Sequence, residues 1–212
     1  MAYNRFPITN VEGDLVAQHR DPDEKLYASL ELNQVAFPKT GMVVSQTPLG
    51  AAFTKAAPCE NGMWVVADKA AGAINPPAAA TDAPIGIVYT TEKEYDREHY
   101  GLQRFGRKIA GDYPRVGILG VGDTVTTNCL QYSTAVFAND EALLEALKKD
   151  LSVADNALYV VPGNASDATA SSAKAVPAIV KSAPGTGIYG RIVKFYTIPN
   201  GGIGVKYQIV RV

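Results

Sequence analysis

Valine and isoleucine outnumber leucine 33 to 13 in this 212-residue chain, and that imbalance narrows the folds open to it. β-Branched side chains lose rotamer freedom in a helix but pack well on a pleated surface. A helical bundle is therefore excluded and a β-rich protein expected. The pattern is sharpest near the C-terminus. Residues 188–198 alternate, with Ile188, Ile192, Tyr196 and Ile198 on one face. Pro199-Asn200-Gly201-Gly202 then turns the chain, and 203–212 return with Val205, Tyr207 and Ile209 on one face. Period-two alternation on both sides of such a turn predicts a β-hairpin.

Shorter signals fill the middle of the chain. Met42-Val43-Val44, Ala51-Ala52-Phe53-Thr54 and Met63-Trp64-Val65-Val66-Ala67-Asp68 read as strands, and Asn61-Gly62 before the last of them predicts a hairpin turn. Ile85–Thr90 is a further strand. Arg115–Leu119 and Asp123–Thr127 are expected to pair through Gly120-Val121-Gly122. One helix is predicted over 139–151. Asn139-Asp140-Glu141 supplies a cap and early acidic charge, Leu143/Leu144, Leu147 and Leu151 recur at helical spacing, and Lys148-Lys149 complement the dipole at the far end. Residues 70–84 read as a loop, 162–187 as a long surface excursion rich in Ala, Ser, Gly and Pro, and 1–40 as an extended arm.

Composition excludes several function classes. With 20 basic against 21 acidic residues the net charge is −1, which argues against a surface built wholesale for nucleic acid. Apolar content of 47% is far from a disordered composition. The opening Met-Ala-Tyr-Asn-Arg-Phe-Pro has no apolar core, and no run is long and apolar enough to span a bilayer, so neither a secretory leader nor a membrane anchor is expected. Cys59 and Cys129 are then expected as reduced, half-buried thiols.

Catalytic machinery is hard to assemble from these residues. His19 sits beside Arg20 and Asp21 and reads as a solvated surface group. Asp96, Glu98 and His99 hold metal-ligating atoms, but in no spacing such as HExxH, and Lys93 and Arg97 neutralise the acids locally. The glycines of 117–122 are in the wrong order for a dinucleotide loop and lead into a strand pattern, Asp-Thr-Val-Thr-Thr. No enzyme, cofactor or metal is expected. The segment 92–115 stands apart: six basic and five acidic residues are interleaved with Tyr95, Tyr100, Phe105 and Tyr113. So long an interruption between strands reads either as a solvated loop whose charges pair with one another or as a protein-contact loop, and Arg and Tyr are the types that anchor protein interfaces.

The succession Gly41-Met42-Val43-Val44, Met63–Asp68, Ala83-Pro84-Ile85-Gly86-Ile87-Val88-Tyr89-Thr90, Tyr113–Leu119 and Val121–Asn128 resembles the capsid decoration, or cement, proteins of tailed bacteriophages. Gly190–Pro199 with Val205–Ile209 is similar to their closing hairpin. The resemblance covers about half the chain and carries no catalytic residues. It implies a mainly β fold, a small β-barrel, β-tulip or sandwich core with the one short helix. It also implies a non-enzymatic virion protein on the capsid exterior, present in the host cytoplasm during assembly. There it would bind the major capsid protein, bridge neighbouring subunits and self-associate as a trimer or dimer, with no direct nucleic-acid or membrane contact. The contacts expected are Tyr3, Arg5 and Phe6 of the arm and Tyr95, Arg97, Tyr100, Arg104 and Phe105 of the loop. The alternative is a glycan- or receptor-binding β module in which Trp64 and the tyrosines stack on sugars. Residues 41–212 are expected to form a single domain, since the closing hairpin is too small to stand alone.

Overall fold

The C-terminal hairpin forms as expected and organises the larger of two sheets. β14 (Tyr189–Thr197) and β15 (Ile203–Arg211) run antiparallel, and Val205, Tyr207 and Ile209 are all buried on the inner face. The alternation of β14 changes phase at a bulge. Ile192 stands opposite Tyr207 but Lys194 opposite Lys206, leaving Val193 as the extra residue. Phe195 therefore continues the inner face, opposite Val205 and packed on the core. A bulge inserts one residue into one strand and so reverses the side-chain parity beyond it.

The computed structural model describes residues 3–5, 30–31, 43–68, 72–77, 85–89, 107–163, 174–197 and 203–212. They form a mainly β protein with one α-helix and a curled, half-barrel sheet of eight strands. From one edge, that sheet starts with β1 (Tyr3–Arg5), β11 (Gln131–Ser133), β13 (Ala178–Val180) and β12 (Tyr159–Val161). β14 and β15 follow, then β10 (Thr124–Thr127) and β2 (Leu30–Glu31). The N-terminal region, expected as an extended arm, thus supplies both edge strands. The second sheet has five strands, in the order β3 (Val43–Val44), β9 (Val116–Ile118), β7 (Ile85–Val88), β5 (Trp64–Asp68) and β6 (Ala73–Asn75). β4 (Cys59–Glu60) and β8 (Arg107–Lys108) make a separate pair.

The central strands β7 and β9 of the five-stranded sheet are buried on both faces, which explains their near-continuous apolar sequences. Trp64, Ile85 and Ile87 point into the main core with Val125, Tyr132, Val160, Ile179, Ile192, Tyr207 and the helix. Val65, Ile74, Val88, Val116 and Ile118 pack the other way against Leu49, Phe53, Cys59 and Met63. The layers are also pinned by a polar contact. Trp64 Nε1–H donates to Tyr207 Oη at 2.9 Å across the core, with the rings edge to face at 5.9 Å.

Helix α1 (Asp140–Lys148) begins where expected, with Asn139 Oδ1 accepting the Ala142 N–H at 2.9 Å. Leu143 and Leu147 are buried in the main core, and the Tyr132 hydroxyl donates to Asp140 at the helix start. Leu151 lies beyond the helix yet is buried.

Several expectations need correction. Ala51-Ala52-Phe53-Thr54 forms no strand; the chain turns there, with the Phe53 N–H donating to Gly50 O at 3.2 Å. Arg115–Leu119 and Asp123–Thr127 do not pair with each other. β9 already has β3 and β7 on its two edges, so the chain turns at Gly120–Asp123 and β10 joins the other sheet. The Gly120 N–H donates to Asp123 Oδ2 at 2.7 Å in that corner. Asn61-Gly62 does turn, with Gly62 at φ +90°, but the flanking strands separate. Both edges of β5 are taken by β6 and β7, and β4 goes to β8. Finally, residues 174–180 within 162–187 are no surface excursion, whereas 181–187 are largely exposed as expected. Ala175, Val176, Ala178 and Ile179 are buried and β13 is an interior strand, because Ala175–Val180 is an apolar run hidden among Ser, Ala and Pro. Within the other expected loop, 70–84, β6 pairs with β5 and Ile74 is fully buried.

Candidate interaction face of the C-terminal hairpin

The inner side of β12, β14 and β15 is committed to the core, and alternation leaves the other side turned outward. Arg191 stands opposite Tyr159 on one neighbour and opposite Gln208 on the other. Tyr159 and Tyr189 meet edge to face at 5.9 Å. The bulge residue Val193 is 48% exposed and Val210, skipped where the ladder shifts again at Tyr189/Gly190, is 44% exposed. Lys194, Gln208 and Arg211 are exposed beside them.

Several of these side chains are held in place. Arg191 Nη2 donates to the carbonyls of Leu151 and Ser152 at 3.1 and 3.2 Å, fastening the loop after α1 to the sheet. Arg211 Nη1 donates to Gly185 O at 2.6 Å and Gln208 Nε2 to Gly122 O at 3.3 Å. A paired tyrosine, an anchored arginine and two exposed valines on a rigid sheet have the chemistry of a protein-contact surface. Among the described residues, no three or more His, Cys, Asp or Glu side chains group as a metal site.

The residues singled out from sequence fare differently. Tyr3 and Arg5 belong to β1, whose backbone pairs with Gln131–Ser133. Phe6, Tyr95, Arg97, Tyr100, Arg104 and Phe105 lie outside the described residues, as do His19, Asp96, Glu98 and His99. Trp64 is fully buried and so unavailable to stack on a sugar. Cys59 and Cys129 are buried and not joined in a disulfide, rather than half-buried. Burial pushes the Cys59 thiol well up, and the neighbouring Cys129 adds to the effect, which makes Cys59 a poor nucleophile. Sequence reading passed over the face of Tyr159, Tyr189, Arg191, Val193 and Val210. Its legible signals were valine at positions that a regular hairpin gives to polar groups and the lack of acidic residues after Asp167.

Fold and face together define a mainly β, sheet-on-sheet protein with an outward Tyr/Arg/Val surface. No family model, no curated protein and no solved structure matches the chain. No helix among the described residues is long and apolar enough to cross a membrane.

Proposed function

We propose that this is a non-enzymatic virion protein that binds the exterior of a tailed-phage capsid and stabilises it by bridging major-capsid subunits. The observation that carries the reading is the outward face of β12, β14 and β15. Tyr159, Tyr189, Arg191, Val193 and Val210 are displayed there on a sheet whose reverse side is filled by core. A cement protein needs that combination, since a rigid platform transmits load between subunits and pre-ordered anchors limit the entropy lost on docking. The resemblance of 41–128 and 190–209 to decoration proteins supports the same reading. Of the aromatics offered for sugar stacking, burial removes Trp64.

The experiment is co-sedimentation of purified protein with expanded, undecorated capsids. Saturable, stoichiometric pelleting is expected, with decorated capsids surviving heating that opens bare ones. Protein that stays in the supernatant at saturating capsid rejects the assignment.

A further inference from the structure

After Asp167 the chain carries Lys174, Lys181, Arg191, Lys194, Lys206 and Arg211 and no aspartate or glutamate, whereas the first 167 residues hold 14 basic against 21 acidic residues. A net charge near zero thus conceals a strongly divided chain. The fold collects much of the basic share on one surface. Arg191 and Lys194 lie on β14 and Lys206 and Arg211 on β15, with Lys194 directly opposite Lys206 in the ladder. Val193, Val210 and the Tyr159–Tyr189 pair are interspersed among the cations.

We propose that this face docks on an acidic protein surface. The inference rests on the adhesion reading above and specifies the chemistry of the partner. A nucleic acid suits the face less well. Phosphates would satisfy the cations, but Val193 and Val210 would lose water against a charged backbone. A carboxylate-rich patch on a protein offers charge to Arg191, Lys194 and Arg211 and apolar side chains to the valines and tyrosines.

The test compares full-length wild type with the double variant Lys194→Glu/Arg211→Glu on two probes, expanded undecorated capsids and an immobilised poly-L-glutamate matrix. Thermal melts establish that both proteins fold. If the double variant melts early, Lys194→Gln/Arg211→Gln takes its place. Wild type should be retained on poly-glutamate at low salt and released as salt screens the contact, and the variant should bind both probes at least about tenfold more weakly. Variant and wild type binding capsids equally would overturn the docking face and leave the capsid reading standing. Variant-sensitive retention on poly-glutamate without capsid binding would uphold the face and reject the capsid as partner. Failure of wild type to bind poly-glutamate, or stronger retention on duplex DNA than on poly-glutamate, overturns the inference.

Discussion

Replacing Tyr207 by Phe removes one oxygen from the centre of the molecule and changes almost nothing else. That oxygen accepts the Trp64 Nε1–H at 2.9 Å, and both side chains are fully buried. Without it the indole donor is stranded where no water reaches, a loss of about 1–3 kcal/mol. In a protein of this size each kcal/mol moves the melting temperature by about 2–4 °C, so a loss near the middle of the range lowers it by about 4–8 °C. Trp64→Phe should cost more, because it also removes buried volume and orphans the Tyr207 hydroxyl. The double variant should lose less than the two single losses combined, with a coupling of about 1–2 kcal/mol. Urea titration followed by fluorescence suits the wild type and Tyr207→Phe, since Trp64 is the one tryptophan in the chain. Circular dichroism serves the variants that lack it. The reasoning fails if Tyr207→Phe shifts stability by less than about 0.5 kcal/mol, or if the native emission is as red as that of the unfolded chain.

Three further perturbations follow from the same structure. Gly62→Ala combines a left-handed backbone with a methyl placed 2.6 Å from Cys129 Cβ and 2.8 Å from Thr127 Oγ1. A loss of roughly 2–4 kcal/mol is expected in chemical denaturation, and a neutral result would refute that packing. Asn139→Ala should cost about 1 kcal/mol by removing the α1 cap, read from the same titration. Burial raises the Asp123 carboxyl above its usual 3.8, with the Gly120 N–H pulling the other way. The folded state therefore holds this proton more tightly than the unfolded chain does. The resulting stability is fully present below 3.8 and is lost as pH rises through the folded value. Asp123→Asn should accordingly compare best with wild type near neutral pH and lose ground as pH falls toward 3.8, measured as urea midpoints across pH.

Local signals predicted local structure well. Asn139, the leucine spacing and Lys148 marked α1 because caps and dipole partners act within a turn or two of the backbone they stabilise. The closing hairpin was legible for the same reason, its strands being joined by a short turn. Pairing across the chain was not. Nothing in 115–127 reveals that β9 already has a neighbour on each edge, so the glycines between Leu119 and Asp123 look like a hairpin turn when they make a corner between sheets. The bulge at Val193 was equally hidden, since the residues on either side alternate plausibly in either phase. Composition misled at 174–180, where small residues and proline concealed an interior strand. Of the interaction face, valine at 193 and 210 and the lack of acids after Asp167 were visible in the sequence. The alignment of Tyr159, Tyr189 and Arg191 was not, because it depends on β12 lying beside β14.

The strands at the two ends of the eight-stranded sheet, β1 and β2, are three and two residues long among the described residues. A growing sheet needs a long, flat border on which a new chain can add one hydrogen bond after another, and borders this brief offer little such template. Among the described residues, copies of this protein held at high concentration therefore find little edge at either end of this sheet on which to zip side by side.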